Sequence, residues 1–140
     1  MLTEKKRVVI DTNIIISAFI SPFGAPAHIF KLFLNGLIIN YTSEEIIKEL
    51  EEVIHRPKFI GCIKTHDKQF MIDSFRSLSL VIAPTAKEKA IRDDPDDDII
   101  VNCALTAGAA IITGDNHFLG LGSHTGIPIL SPKEFLESLK

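Results

Sequence analysis

Cysteine is scarce: Cys62 and Cys103 are the only two in 140 residues, far apart and without metal-ligand spacing. That count argues against a disulfide framework or a cysteine-built zinc site, and reduced thiols in a cytoplasmic protein are the expectation. No apolar stretch approaches the roughly 18 residues of a membrane span, so no membrane role is expected. The opening Met1-Leu2-Thr3-Glu4-Lys5-Lys6-Arg7 holds no apolar signal segment. The five histidines (His28, His55, His66, His117, His124) lack zinc-type pair spacing, and His117 reads as a loop histidine beside Asp115. Gly-x-Ser-x-Gly, P-loop and Gly-x-Gly-x-x-Gly motifs are missing, so serine-hydrolase, nucleoside-triphosphate and dinucleotide chemistries have no anchor. No basic-aromatic interleaving suggests base stacking, and a nucleic-acid sequence preference is unreadable.

What the chain does have is a concentrated acidic spot. Residues 93–98 read Asp-Asp-Pro-Asp-Asp-Asp; setting aside these five charges turns the net −3 into +2 for the remainder. A mildly basic body with one acidic focus is compatible with a phosphate-backbone substrate, because divalent cations at the focus would offset much of its charge. The length suits one domain spanning residues 1–140, and 46% hydrophobic with 24% charged residues is ordinary for a globular protein.

Strand and helix signals alternate along the chain. Strands are expected at 7–11, 37–42, 78–83, 109–113 and 127–130, and helices at 25–35, 44–55, 66–77, about 99–107 and from 132 onward. Pro26, Gly36, Ser43 and the pair Ser131-Pro132 supply helix start and stop signals. Continuous apolar runs such as Val8-Val9-Ile10 and Ala109-Ala110-Ile111-Ile112 mark strands buried on both faces. The order β-α-β-α-α-β-α-β-β-α predicts a three-layer α/β/α sandwich with a mainly parallel central sheet.

Two of those runs end in aspartates, Asp11 and Asp115, at the carboxyl edge of the sheet, where open α/β folds bind ligands. Asp11 alone is equally a helix N-cap and Asp115 a turn former. Thr12 and Asn13 could hold the Asp11 carboxylate or cap the following helix. Glu49 falls on or beside the face carrying Ile46, Leu50 and Val53, with Glu45 its nearest competitor. A carboxylate against an apolar face needs a partner. Asp97 stands three residues before Ile100 and seven before Ala104, on a side that should be buried; Asp98 stays open. An EF-hand is ruled out by the missing glycine and distal glutamate. An all-carboxylate oxygen site suits Mg²⁺ or Mn²⁺, hard cations that serve phosphoryl chemistry.

Val8-Val9-Ile10-Asp11-Thr12-Asn13, then Ser43-Glu44-Glu45-Ile46-Ile47-Lys48-Glu49-Leu50 with His55-Arg56-Pro57-Lys58-Phe59, then Asp94-Pro95-Asp96-Asp97-Asp98 through Ala104, and last Ile112-Thr113-Gly114-Asp115 resemble the PIN domain over nearly the whole chain. The likeness is to the branch of toxin components of toxin–antitoxin pairs. The resemblance implies a metal-dependent nuclease, usually acting on RNA, with an antitoxin partner and often a homodimer. It places the four acids on Asp11, Glu49, Asp97 and Asp115, and a supporting hydroxyl on Thr113; Asp96, Asp97 and Asp98 are contiguous at the third position. On this basis the expectation is a single-strand endoribonuclease leaving a 5′-phosphate and a 3′-hydroxyl. Lys5, Lys6, Arg7, Arg56, Lys58 and Lys64 are candidate backbone contacts. A non-catalytic or regulatory binding domain is one alternative. A metal-dependent phosphatase is another, though the Asp-x-Asp many such enzymes carry after the first strand is here Asp11-Thr12-Asn13.

Overall fold

The computed structural model describes residues 5–85, 95–115 and 126–140, and for 95–98 the backbone alone. Five strands, β1 (Lys6–Ile10), β2 (Ile38–Thr42), β3 (Leu80–Val81), β4 (Ala110–Ile112) and β5 (Ile129–Leu130), form one sheet in the order β3-β2-β1-β4-β5. Every pairing is parallel. The helices are α1 (Thr12–Ile20), α2 (Ala25–Leu34), α3 (Glu44–Ile54), α4 (Thr65–Leu78), α5 (Pro95–Ala107) and α6 (Pro132–Ser138), with a 3-10 turn at Pro57–Phe59.

Val8, Val9 and Ile10 of β1 are each fully buried, as a central strand covered on both faces requires. The crossover carrying α1 and α2 steps from β1 to β2; the one carrying α5 returns from β3 to β4 in the opposite direction. Right-handed connection therefore puts them on opposite faces. α2 packs on β2, while α5 lies against β1, β2 and β4, and α6 closes on β5 and α2. Phe33 of α2 and Phe75 of α4, both buried, have ring centroids 6.2 Å apart and tie those helices together.

Several elements differ from the sequence reading, most strands by one or two residues at an end. Helix α1 was absent from the expected order, because Ile14-Ile15-Ile16 is a solid β-branched run without 3.6-residue alternation. All three are buried, so a helix enclosed on several sides shows no polar face to betray it. The expected strand at 78–83 shrinks to Leu80–Val81, since α4 continues through Leu78. At the sheet edge Leu80 and Val81 are 50% and 40% exposed, which leaves little burial to extend the strand. Helix α5 begins at Pro95 rather than near 99, taking the 96–98 acids into its first turn, where proline and negative charge are both favoured. Asp93, Asp94, His117 and His124 lie outside the described residues.

Candidate active site at the carboxyl edge of the sheet

Asp11 stands where β1 ends and α1 begins. It is the N-cap of α1: its Oδ1 accepts from the Asn13 N–H at 3.4 Å, and its carbonyl accepts from the Ile14 N–H at 2.9 Å. Capping is thus the role of one carboxylate oxygen only. The other, Oδ2, accepts the Thr113 hydroxyl at 2.8 Å across 102 residues of sequence. Thr113 is fully buried, and its Oγ1 in turn accepts the Asp115 N–H at 3.1 Å. One hydroxyl therefore fixes both strand-end aspartates, one by its carboxylate and the other by its backbone.

The backbone around Asp11 is anchored from both neighbouring strands. The Asp11 N–H donates to the Ile112 carbonyl of β4 at 2.9 Å. On the β2 side, the Ile10 N–H donates to Oδ1 of the Asn40 side chain at 2.9 Å, and Asn40 Nδ2 donates to Ser79 Oγ at 2.9 Å. Asn40 escaped the sequence reading. Its signal was there, a lone polar residue inside the apolar run Leu37–Tyr41 of a doubly covered strand.

Asp11 is 5% exposed, and burial pushes its carboxyl above its ordinary value. The Thr113 hydroxyl and the Asn13 N–H pull it down again, and the negative charge of Asp115 raises it further. Among the described residues no lysine, arginine or histidine acts on it. A buried carboxylate beside a second negative charge is relieved by a proton or by a cation held between the two. Oxygen donors of this charge and hardness fit a divalent cation such as Mg²⁺ or Mn²⁺.

The other expected residues are placed as follows. Thr12 is buried at the first position of α1, whereas Asn13 is exposed and contributes its backbone rather than its side chain. Glu49 is half-buried on α3 with Oε2 inside, while Glu45 is exposed. Ile100 and Ala104 of α5 are buried, so Asp97 occupies a register position one and two turns from core residues; the side chains of Asp97 and Asp98 lie outside the description. Among the described residues no three Asp, Glu, His or Cys side chains form a group able to hold one metal ion. Lys6 and Arg7 open β1, at the end of the strand away from Asp11; five residues of strand set Lys6 about 17 Å from it. Arg56, Lys58 and Lys64 are exposed, and the Lys58 ammonium sits 5.0 Å over the Phe59 ring.

The fold and site define a parallel α/β sandwich with an acidic centre at its carboxyl edge. The chain belongs to the PIN domain family, whose pattern it matches over residues 7–117. It is 35% identical over 147 aligned positions to an uncharacterised protein of Methanocaldococcus jannaschii, MJ1680, with 97% of this chain and 93% of that one covered. Among solved structures it is similar to VapBC2 from Rickettsia felis bound to a DNA fragment from their promoter (17% identity, TM-score 0.62, 89% of this chain and 98% of that one). It is also similar to PAE2754 from Pyrobaculum aerophilum (13% identity, TM-score 0.65, 96% and 89%). At these identities the structural likeness concerns the fold, and the fold agrees with that expected from sequence.

Proposed function

We propose that this protein is a metal-dependent endoribonuclease that cleaves single-stranded RNA, acting as the toxin component of a toxin–antitoxin pair. The observation that carries the reading is the buried Asp11 carboxylate, tied to Thr113 and set beside the charge of Asp115 at the carboxyl edge of the sheet. Membership of the PIN domain family and the resemblance to its toxin branch support the nuclease and the antitoxin partner, and the fold shared with VapBC2 agrees with them. A homodimer and a cytoplasmic location complete the proposal.

Asp11 and Asp115 would hold Mg²⁺ or Mn²⁺, with Glu49 and Asp97 as the further acids. A divalent ion held there supplies electrophilic stabilisation of the phosphodiester and lowers the pKa of water, the nucleophile of hydrolysis. The chain's own part is to hold the carboxylates in place. The Thr113 hydroxyl donates to Asp11 and so selects one orientation of the carboxylate, and the same oxygen keeps the Asp115 backbone in register with it. Exposed Arg56, Lys58 and Lys64 offer positive charge to the phosphate backbone. The products are a 5′-phosphate and a 3′-hydroxyl.

The test is cleavage of single-stranded RNA by the purified protein with Mn²⁺ or with EDTA, beside Asp11→Asn and Asp97→Asn. Cleavage that needs Mn²⁺ and is lost in both variants is the expected result. Equal cleavage by the variants would mean a contaminant and would sink the site. No cleavage with any divalent ion would leave the binding-domain reading in its place.

A further inference from the structure

We infer that Asn40 is a positioning residue that sets the place of Asp11 through the backbone of β1, an inference that rests on the nuclease reading for its effect on turnover. The register between β1 and β2 runs Lys6↔Ile38, Arg7↔Ile39 and Val8↔Asn40, and stops there. The next β1 amide pointing toward β2 is that of Ile10, and it is taken by the Asn40 side chain instead of a backbone carbonyl. The end of the strand that delivers Asp11 is thus held on its β4 side by a regular backbone bond, and on its β2 side by a side chain.

That side chain is itself held. Asn40 is 1% exposed, and its amide group donates to Ser79, an 8% exposed serine at the junction of α4 and β3. The Asn40 carboxamide, carried by β2, therefore joins the β1 backbone to a side chain at the entry to β3. A polar side chain buried this deeply is costly unless each of its bonds is made. A valine would pack in this strand without that cost, so the carboxamide is explained by what it bonds. Its acceptor lands one residue before Asp11. Misplacement of a reacting group by about 1 Å is enough to cost on the order of a hundredfold in rate.

The experiment compares wild type with Asn40→Ala, Ser79→Ala, Ser79→Thr and Phe135→Leu, the last a buried change on α6 that lowers stability away from the site. Three readouts are taken: hydrogen exchange at the Asp11 amide by NMR, Mn²⁺ affinity by electron paramagnetic resonance, and kcat and KM on single-stranded RNA. Asn40→Ala should speed Asp11 amide exchange at least tenfold beyond Phe135→Leu, weaken Mn²⁺ binding about tenfold, and lower kcat ten- to a hundredfold with KM within twofold. Ser79→Ala should follow it partway, and Ser79→Thr, which keeps the hydroxyl, should return to wild type. If Asp11 amide exchange, Mn²⁺ affinity and kcat in Asn40→Ala match those of Phe135→Leu, the positioning role is overturned. Should wild type neither bind Mn²⁺ nor cut RNA, the nuclease reading falls, while amide exchange still decides whether Asn40 holds the strand end.

Discussion

Asp11→Asn should make the metal-free protein more stable, even though it abolishes the proposed chemistry. The substitution keeps the shape, but asparagine has one acceptor oxygen where aspartate has two. Its oxygen can still accept the Thr113 hydroxyl, so the change there is from a charge-assisted to a neutral bond, about 1 kcal/mol. The bond from the Asn13 N–H is long at 3.4 Å, and losing it costs no more than about 0.5 kcal/mol. Against these stands removal of a charge that is 5% exposed and faces Asp115, a burden of several kcal/mol for a buried ion even after relaxation. The balance is a gain of about 1–2 kcal/mol, or a Tm increase of about 3–7 °C for a chain of this size. The pH dependence follows from the raised pKa. Below the ordinary 3.8 Asp11 is protonated in folded and unfolded chains alike, and its charge contributes nothing to the difference between the two proteins. As pH rises through the folded value, wild type loses the stability that the protonated carboxyl contributed and the variant does not, so the gap opens toward neutral pH. Thermal melts in EDTA at pH 4, 5.5 and 7.5 measure it. Mn²⁺ should then reverse the order, adding about 2.7 kcal/mol to wild type at a hundred times Kd and little to the variant. A variant that melts below wild type at pH 7.5 in EDTA, or a gap independent of pH, would refute the reasoning.

Thr113→Val removes the donor to Asp11 and the acceptor for the Asp115 N–H in one step, and should cost about 2–3 kcal/mol with a fall in RNA cleavage; unchanged cleavage would discount the bridge. Burial pushes the Cys103 thiol up to about 12, so a thiol reagent at pH 8 should titrate one cysteine, the exposed Cys62, in the native protein and both after denaturation. Phe33→Ala should destabilise by about 3–5 kcal/mol in chemical denaturation, because Phe33 is 2% exposed, whereas Phe23→Ser, at a side chain 99% exposed, should stay within about 0.5 kcal/mol.

Much of this architecture could be read directly from the amino-acid order, for identifiable reasons. Val8-Val9-Ile10 announced a doubly covered strand because a parallel sheet leaves no polar face, and Asn35-Gly36 and Ser43 marked helix ends by chemistry that acts within a few residues. Asp11 and Asp115 were legible as a pair since each follows such a strand. What eluded the sequence was whatever depended on distant partners. Helix α1 hid in an isoleucine run whose burial is tertiary, and Asn40 bonds to residues 30 and 39 positions away. Thr113 could be named only through the family resemblance, because nothing local says that its hydroxyl reaches Asp11.

That reach has a consequence for the order in which the molecule can be made. Asp11 leaves the ribosome 102 positions ahead of Thr113, its hydroxyl donor, and its β4 backbone anchor Ile112 emerges just as late. Pairing across 102 positions is a high-contact-order event, slow and late compared with local helix formation. On the proposed reading, a nascent chain that has not yet exposed β4 has no assembled centre with which to cut its own messenger, and a truncation before β4 would carry Asp11 and Glu49 yet lack the strand that joins the first acid to the last.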